Sequence, residues 1–238
     1  MKLTFKIDKK YDEEMIFELL PSNNIKTALD ETVEVLRIDK ENLEKKIKKY
    51  SSNIKNIVHA VVEEKYEKIL PFIENSVHSY QYSWNQINDA FSSLVEEKTS
   101  FFWEHKEYFC VVSAFHEGIS SWGGDTIARR WSINADTQRP VTAHEVVLSH
   151  FWTMLENNPI SKNWDDDTKW KYSEIFSWCL LGLNDEFYKF WPWLLNKHRW
   201  PLNHEYPEIV PLQKRIGVLH KKYKNFKDFF EASIKLQK

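Results

Sequence analysis

The sequence predicts a predominantly helical α+β fold with a small β-sheet, and three observations support that class. Glycine is scarce, at 5 of 238 residues, and proline contributes only 8, which favours long helices. Apolar residues recur at helical spacing over most of the chain. Residues 2–8 alternate with a period of two, and residues 107–115 (EYFCVVSAF) are rich in β-forming side chains, so each segment predicts a strand.

Length and composition favour one globular unit. With hydrophobic residues at 42% and charged residues at 29%, the chain can bury a full core without cross-links. We expect a single domain spanning 1–238, in which a mainly helical part (1–100) precedes a part (101–238) with two strands, a helix and aromatic-rich C-terminal helices. The two cysteines, Cys110 and Cys179, lie in apolar runs and are expected to be buried free thiols.

In the N-terminal part, apolar spacing predicts helices over 24–37, from Asp39 onward and over 53–70. Asp39 has a side chain suited to cap the second of these helices. Pro71 is expected to end or kink the third helix, because proline lacks the amide hydrogen and clashes with the preceding turn. A further helix is predicted to run to about Lys98.

In the C-terminal part, residues 126–133 predict a second strand, paired with 107–115 as a hairpin across the Gly-Gly turn at 120–125. A helix is predicted to begin at Thr142, because Thr142 and Glu145 have the spacing of a capping box. Further helices are predicted over about 166–183 and 208–235.

Charge and terminal sequence argue against several classes of protein. The formal net charge of −2 gives no electrostatic case for binding nucleic acid or an anionic membrane. The first residues, MKLTFKIDKKYDEE, lack the apolar region of a signal peptide, and no window reaches the ~18 apolar residues of a membrane span. We therefore expect a cytoplasmic protein. The chain contains no Walker loop, GxGxxG or GxSxG motif.

The most suggestive segment for function is 107–152, in which a strand, a turn and a strand precede a helix that carries His144-Glu145. Over about residues 100–180 this layout resembles the zincin-like metallopeptidases. In that family an HExxH helix supplies two zinc-binding histidines, its glutamate activates water, and a later helix often supplies a glutamate ligand. The resemblance implies zinc as cofactor, His144 as a ligand, Glu145 as general base, and Glu174 in KWKYSEIFSW as a further ligand.

One position departs from the HExxH pattern, because Leu148 stands where the second histidine belongs. His150 cannot replace it on a regular helix, since residues six apart differ by roughly 240° around the axis and about 9 Å along it. A zinc site would need a distorted helix that brings in His150, or a ligand from elsewhere, such as His116 after the strand 107–115. Otherwise the chain binds no zinc and is an inactive relative that keeps the cleft for binding.

The same residues also have a non-catalytic interpretation. His144 shares an apolar stripe with Leu148 and Leu155, so it can be a core histidine with one buried hydrogen bond, and Glu145 can act only in the capping box. His150 lies off that stripe, which predicts a surface or groove position. The alternative function is a non-enzymatic helical module that binds a peptide or protein, with the tryptophan-rich C-terminal part lining an apolar cleft.

Two arginine patterns indicate other chemistry. The dipeptide Arg129-Arg130 lies with Arg139 beside the Gly-Gly turn, and such arginines bind anions or stack on bases, unless one faces outward and the other pairs with a carboxylate. Arg215 and His220 resemble the R-x4–6-H motif of the HEPN RNases, in which both residues act on the phosphodiester. That resemblance implies a metal-independent RNase as a third function.

Overall fold

The computed structural model describes residues 1–20, 29–50, 52–116, 118–119, 123–194 and 206–237. These residues form strands β1 (Lys2–Lys6), β2 (Glu107–Ser113), β3 (Gly118–Ile119) and β4 (Thr126–Arg130). The helices are α1 (Lys9–Leu19), α2 (Leu29–Leu36), α3 (Lys40–Lys49), α4 (Ile54–Asn85), α5 (Asn88–Thr99), α6 (Arg139–Asn157), α7 (Asp166–Ser177), α8 (Val210–Lys222) and α9 (Phe226–Ile234). A π-helical turn, Trp178–Gly182, follows α7, and 3-10 turns span Asp185–Phe190, Pro192–Leu194 and Lys235–Gln237.

The predicted class, α+β and predominantly helical with a small sheet, is confirmed. Positions 24–28 of the predicted helix 24–37 and positions 120–122 of the predicted turn lie outside the described residues. None of the described helices combines the length and the apolar character that a bilayer crossing requires.

The described strands form a mixed sheet in the order β1-β2-β4-β3. β1, β2 and β4 are parallel, and β3 is antiparallel to β4. The predicted hairpin between 107–115 and 126–133 is therefore wrong. After β2 the chain passes to the outer edge, forms β3, and returns as β4 between β3 and β2, so the hairpin partner of β4 is β3.

The outer edge of β1 is closed by side chains from the neighbouring helices. The amide of Phe5 donates to Oε1 of Gln81 at 2.9 Å, and Nε2 of Gln81 donates to the Leu3 carbonyl at 3.1 Å. The amide of Leu3 donates to Oδ1 of Asn88 at 3.3 Å. Because these amides occupy backbone groups that would otherwise pair with another strand, β1 cannot readily recruit one.

Helix α4 continues through Pro71. Of the two predicted outcomes, an end or a kink of the helix, the end does not occur. Proline removes the amide that would bond to the Glu67 carbonyl. Both residues are exposed, and water can hydrate that carbonyl on the solvent side.

The C-terminal aromatic residues largely fill the core, where they also contact aromatic residues of the N-terminal part. Trp84 and Trp191 are fully buried, and both rings contact Phe91. A second group stacks Phe151 on Phe226 with ring centroids 5.4 Å apart. Cys110 and Cys179 are buried free thiols, which confirms that prediction. Trp200, in the aromatic stretch that follows α7, lies outside the described residues.

Helix α6 packs against α7 and against strands β3 and β4. It begins at Arg139, three residues before the predicted start, with Pro140 in its first turn, where proline is favoured. The predicted capping box is therefore wrong. Thr142 lies inside the helix and its hydroxyl donates to Oε1 of Gln138, while Glu145 is a buried residue of the second turn.

Candidate functional site

The predicted residues His144 and Glu174 meet where α6 packs on α7. Nε2 of His144 lies 3.3 Å from Oε2 of Glu174, and Nδ1 lies 3.0 Å from Oγ of Ser177, one turn further along α7. The other carboxylate oxygen, Oε1 of Glu174, accepts a hydrogen bond from the Trp170 indole at 3.1 Å. Both imidazole nitrogens and both carboxylate oxygens therefore have protein partners. We call this group the α6–α7 site.

The charged groups in this region shift one another's pKa values. Burial alone would lower the pKa of His144, but its hydrogen bond to Glu174 and the nearby carboxylates outweigh burial, so the pKa is raised. Burial raises the pKa of Glu145, against the opposing charges of His144 and Arg129. His144 consequently keeps its proton to higher pH than a free histidine, which favours a buried ion pair with Glu174.

Glu145 also lies near Arg129, whose positive charge acts on it at the edge of the sheet. Gly118 stands opposite Arg129 in the β3–β4 ladder. A Cβ atom on Gly118 would lie under 3.0 Å from Nη1 of Arg129 and 2.8 Å from Oε1 of Glu145. Both groups therefore converge on the space beside this glycine, and the absence of a side chain there lets the guanidinium approach the carboxylate.

Gly118→Ala is expected to lower the free energy of unfolding by about 1 kcal/mol, because the new methyl group must displace the ends of the Arg129 and Glu145 side chains, whose burial limits how far they can move. Urea unfolding at neutral pH measures the change.

Gly217→Ala is the matched control, expected to raise stability by about 0.5–1 kcal/mol. Gly217 lies inside α8, and nothing lies within 4 Å of its added Cβ. Equal effects of the two substitutions would contradict a close approach at Gly118.

The α6–α7 site has the connectivity of a nucleophile–base–carboxylate triad, in the order Ser177, His144, Glu174. A triad acts only when its hydroxyl can reach a substrate carbonyl. Ser177 is 0% exposed. The arrangement therefore joins two helices and does not present a nucleophile.

The residues at this site do not fit a catalytic zinc centre. A tetrahedral zinc ion sets nitrogen and oxygen ligands about 3.3–3.5 Å apart, and the His144–Glu174 distance of 3.3 Å matches that spacing. Catalytic zinc, however, takes three protein ligands. Leu148, one helical turn after His144, is 1% exposed and offers no ligand atom.

His150 lies away from this site. It is fully buried, not at the surface or in a groove as predicted, and its ring centroid is 4.9 Å from that of Trp103. Nδ1 of His150 accepts a hydrogen bond from the Glu104 amide at 3.3 Å. Burial, and to a lesser degree His105, lowers the pKa of His150 to about 3. The predicted stripe was too narrow, because α6 is covered on most sides.

His116 lies beside a buried carboxylate that the sequence did not indicate. Oδ1 of Asp12 accepts from the Ser113 hydroxyl at 2.6 Å, and Oδ2 accepts from the Tyr66 hydroxyl at 2.9 Å and the Ala114 amide at 3.0 Å. Nε2 of His116 is 4.0 Å from Oδ1 of Asp12. Burial raises the pKa of Asp12 to about 6 and lowers that of His116 to about 4. We call this group the Asp12 cluster.

The predicted arginines are separated by the fold. Arg130 is the last residue of β4, and its carbonyl accepts from the Tyr80 hydroxyl at 2.7 Å. Arg139 bridges α6 to α4: it donates to the Ser83 hydroxyl at 2.7 Å, to the Ser83 carbonyl at 2.9 Å and to Gln86 at 2.7 Å. The buried guanidinium of Arg139 thus holds α6 against the C-terminal end of α4.

The second arginine pattern lies on α8. Arg215 is exposed, whereas the His220 ring packs edge-on against Phe229 with centroids 5.0 Å apart. Residues five apart on a helix differ by roughly 140° around the axis, so the two side chains diverge.

Among the described residues, three side chains have ligand atoms within 4.8 Å of one another: Glu13, His59 and Glu63. Nδ1 of His59 lies 2.8 Å from Oε1 of Glu13, and Nζ of Lys9 lies 2.8 Å from Oε2 of Glu63. The His59 side chain is 64% exposed. Because Lys9 already neutralises Glu63, this group is a surface cluster of ion pairs.

No family model matches the chain, and no curated protein or solved structure is significantly similar to it.

Proposed function

We propose that the chain is a non-catalytic relative of the zincin-like metallopeptidases, a binding protein for a peptide or protein ligand. The observation that carries the proposal is the α6–α7 site itself. The nitrogen of His144 and the oxygen of Glu174 lie at the spacing of two zinc ligands. The buried Leu148 occupies the position at which the motif has its second histidine.

The charge pattern supports a non-catalytic role. A general base needs a reacting partner within hydrogen-bond reach. Glu145 is 8% exposed and faces Arg129, and His144 is bound on both nitrogens. The helix that would carry catalysis therefore contributes rigidity, which a binding protein requires as much as an enzyme does.

The class of ligand follows from composition. The net charge of −2 disfavours nucleic acid, and the chain lacks nucleotide-binding motifs. A peptide or protein ligand requires neither a net positive charge nor a nucleotide-binding motif.

Leu148→His is expected to create a zinc site with near-stoichiometric occupancy. A histidine one turn after His144 on the same face would complete a set of three ligands with Glu174. The purified variant, dialysed against zinc, is measured by elemental mass spectrometry. Zinc should also raise its unfolding temperature, since binding to the folded state stabilises it.

The double variants Leu148→His/His144→Ala and Leu148→His/Glu174→Gln are the controls, and each should lose the zinc. Because Leu148 is buried, the small, apolar cysteine of Leu148→Cys should fit the core more easily than histidine does. Its thiolate would then serve as the third zinc ligand. If neither variant binds zinc while remaining folded by circular dichroism, the zincin-like part of the proposal is wrong.

The wild-type protein tests the non-catalytic part. We expect no stoichiometric zinc after zinc is offered and no peptide hydrolysis. Near-stoichiometric zinc that disappears in His144→Ala would instead support an active metallopeptidase.

A further inference from the structure

A cavity of about 440 Å³ lies between α4 and the connection from α2 to α3. Its charged and polar lining consists of Arg37, Asp39, Asn42, Glu64, Lys65 and Lys68. We call it the α2–α4 cavity. It shares no residue with the α6–α7 site, and its volume is in the range of small-ligand sites.

The two carboxylates of the lining are already engaged within the protein. Oδ1 of Asp39 caps α3 by accepting from the Asn42 amide at 2.7 Å. Oε1 of Glu64 accepts from Nζ of Lys46 at 2.5 Å, and the Lys46 side chain is 7% exposed. Asp39 keeps its charge, so the three cations of the lining, Arg37, Lys65 and Lys68, outnumber its two carboxylates, of which Glu64 is paired with Lys46.

Lys65 and Lys68 lie three residues apart on α4 and face the cavity together. Among the described residues, neither ammonium has a carboxylate oxygen within 4.0 Å. Burial lowers the pKa of Lys65, and the positive charges of Arg130, Arg37 and Lys68 lower it further. Cations thus converge here and repel one another.

Two arginines act on the cavity. Arg37 follows α2 and is part of the lining, and the positive charge of Arg130, the last residue of β4, acts on Lys65. Arg37 has a left-handed backbone, with φ 51°, and ends α2: the Ile38 amide donates to the Val33 carbonyl at 3.3 Å, as at other helix C-termini.

We propose that the α2–α4 cavity binds the phosphate group of a small phosphate monoester. The two ammonium groups of Lys65 and Lys68 match the two negative charges of that group, and the side-chain amide of Asn42, which also lines the cavity, supplies a further donor. Carboxylates and phosphate diesters carry one charge and leave part of the cationic excess uncompensated.

Isothermal titration with inorganic phosphate and with glycerol 3-phosphate, at a constant ionic strength of about 0.15 M, tests the proposal. We expect saturable binding of one equivalent of each. Lys65→Gln and Lys68→Gln should each weaken the affinity by about tenfold or more, since each removes a charge-assisted hydrogen bond. The dimethyl phosphate monoanion should bind about tenfold more weakly than inorganic phosphate.

Lys45→Gln is the matched control, because Lys45 lies on α3, pairs with Glu41 at 2.6 Å and does not line the cavity. Absence of saturation, or equal weakening by Lys45→Gln and Lys65→Gln, would overturn the site. Equal binding of the diester would overturn the monoester assignment. Lys68 is exposed, so its variant should fold even where Lys65→Gln does not. The result is independent of the zinc experiments, which use other residues.

Discussion

Asp12→Asn should lower the free energy of unfolding by about 3 kcal/mol at pH 7.5, because an amide cannot replace this carboxylate in either orientation. The Ser113 hydroxyl oxygen accepts from the amides of Phe115 at 2.9 Å and His116 at 2.8 Å. Both of its lone pairs are used, so its proton must point at Oδ1 of Asp12. On the other oxygen, the Ala114 amide can only donate.

The side-chain amide nitrogen introduced by Asp12→Asn would therefore face a donor on whichever side it lay. Placed toward Ser113 it meets a hydroxyl that has no lone pair left, and placed toward Ala114 it meets an N–H group. A buried donor without an acceptor costs about 1–3 kcal/mol, and the charge-assisted bonds of the carboxylate are lost as well.

Urea denaturation at pH 7.5 measures this difference, with two graded controls. Tyr66→Phe removes one hydrogen bond to Asp12 and should cost about 1–2 kcal/mol. Glu13→Gln changes the neighbouring residue, which makes surface contacts, and should change stability by less than about 0.5 kcal/mol. An Asp12→Asn protein with a wild-type denaturation midpoint would show that the carboxylate is not held as described.

The Asp12 cluster could not be predicted from the sequence, because its members are distant along the chain. Asp12 and Ser113 are 101 residues apart, and their contact depends on how α1 docks against the end of β2. Nothing in local periodicity encodes such a contact. His116 was selected only because it follows a predicted strand, and the structure gives it a buried neighbour instead of a metal partner.

Helix α6 shows what the spacing of apolar residues predicts correctly and where it fails. Its existence follows from local apolar spacing. That His144 and Glu174 would lie together was implied only by the resemblance to the zincin-like metallopeptidases, and the structure places them 3.3 Å apart. The start of α6 was misplaced because Arg139 and Pro140 are typical of a loop, although proline suits a first turn. The sheet order was missed because β3 has two residues and no pattern of its own.

The pH dependence of folding combines opposing contributions. The pKa of Asp12 is about 6 in the folded protein, above its ordinary 3.8, so its contribution is present at low pH and is lost as pH rises toward 6. His116 has a folded pKa of about 4, below 6.5, so its contribution is lost as pH falls from 6.5 toward 4. Between pH 4 and 6 the two largely offset each other, so they do not mask the loss of stability in acid that His150 contributes.

His150→Phe should make the protein more stable than wild type at pH 4, with little difference at pH 7. The folded pKa of His150 is about 3 and its unfolded value is about 6.5, so the unfolded chain binds the extra proton between these values. Each pH unit is worth about 1.4 kcal/mol, so His150 costs the wild type about 3 kcal/mol of stability by pH 4. The Phe ring leaves the Glu104 amide without its acceptor, but it also removes the buried Nε2 of His150, which has no hydrogen-bond partner among the described residues. These two pH-independent contributions oppose each other at about 1 kcal/mol each.

Urea unfolding of both proteins at pH 7 and pH 4 should therefore show a difference in stability that shifts by about 3 kcal/mol in favour of His150→Phe as the pH falls. Phe151→Leu is the matched control, since Phe151 is a buried neighbour without a titrating group, and its cost should be the same at both pH values. If wild type and His150→Phe instead lose stability in parallel as the pH falls, the imidazole is protonated in the folded core. The Trp103 side of α6 would then have to supply an anion or water that stabilises that charge, since a buried imidazolium without a partner is strongly disfavoured.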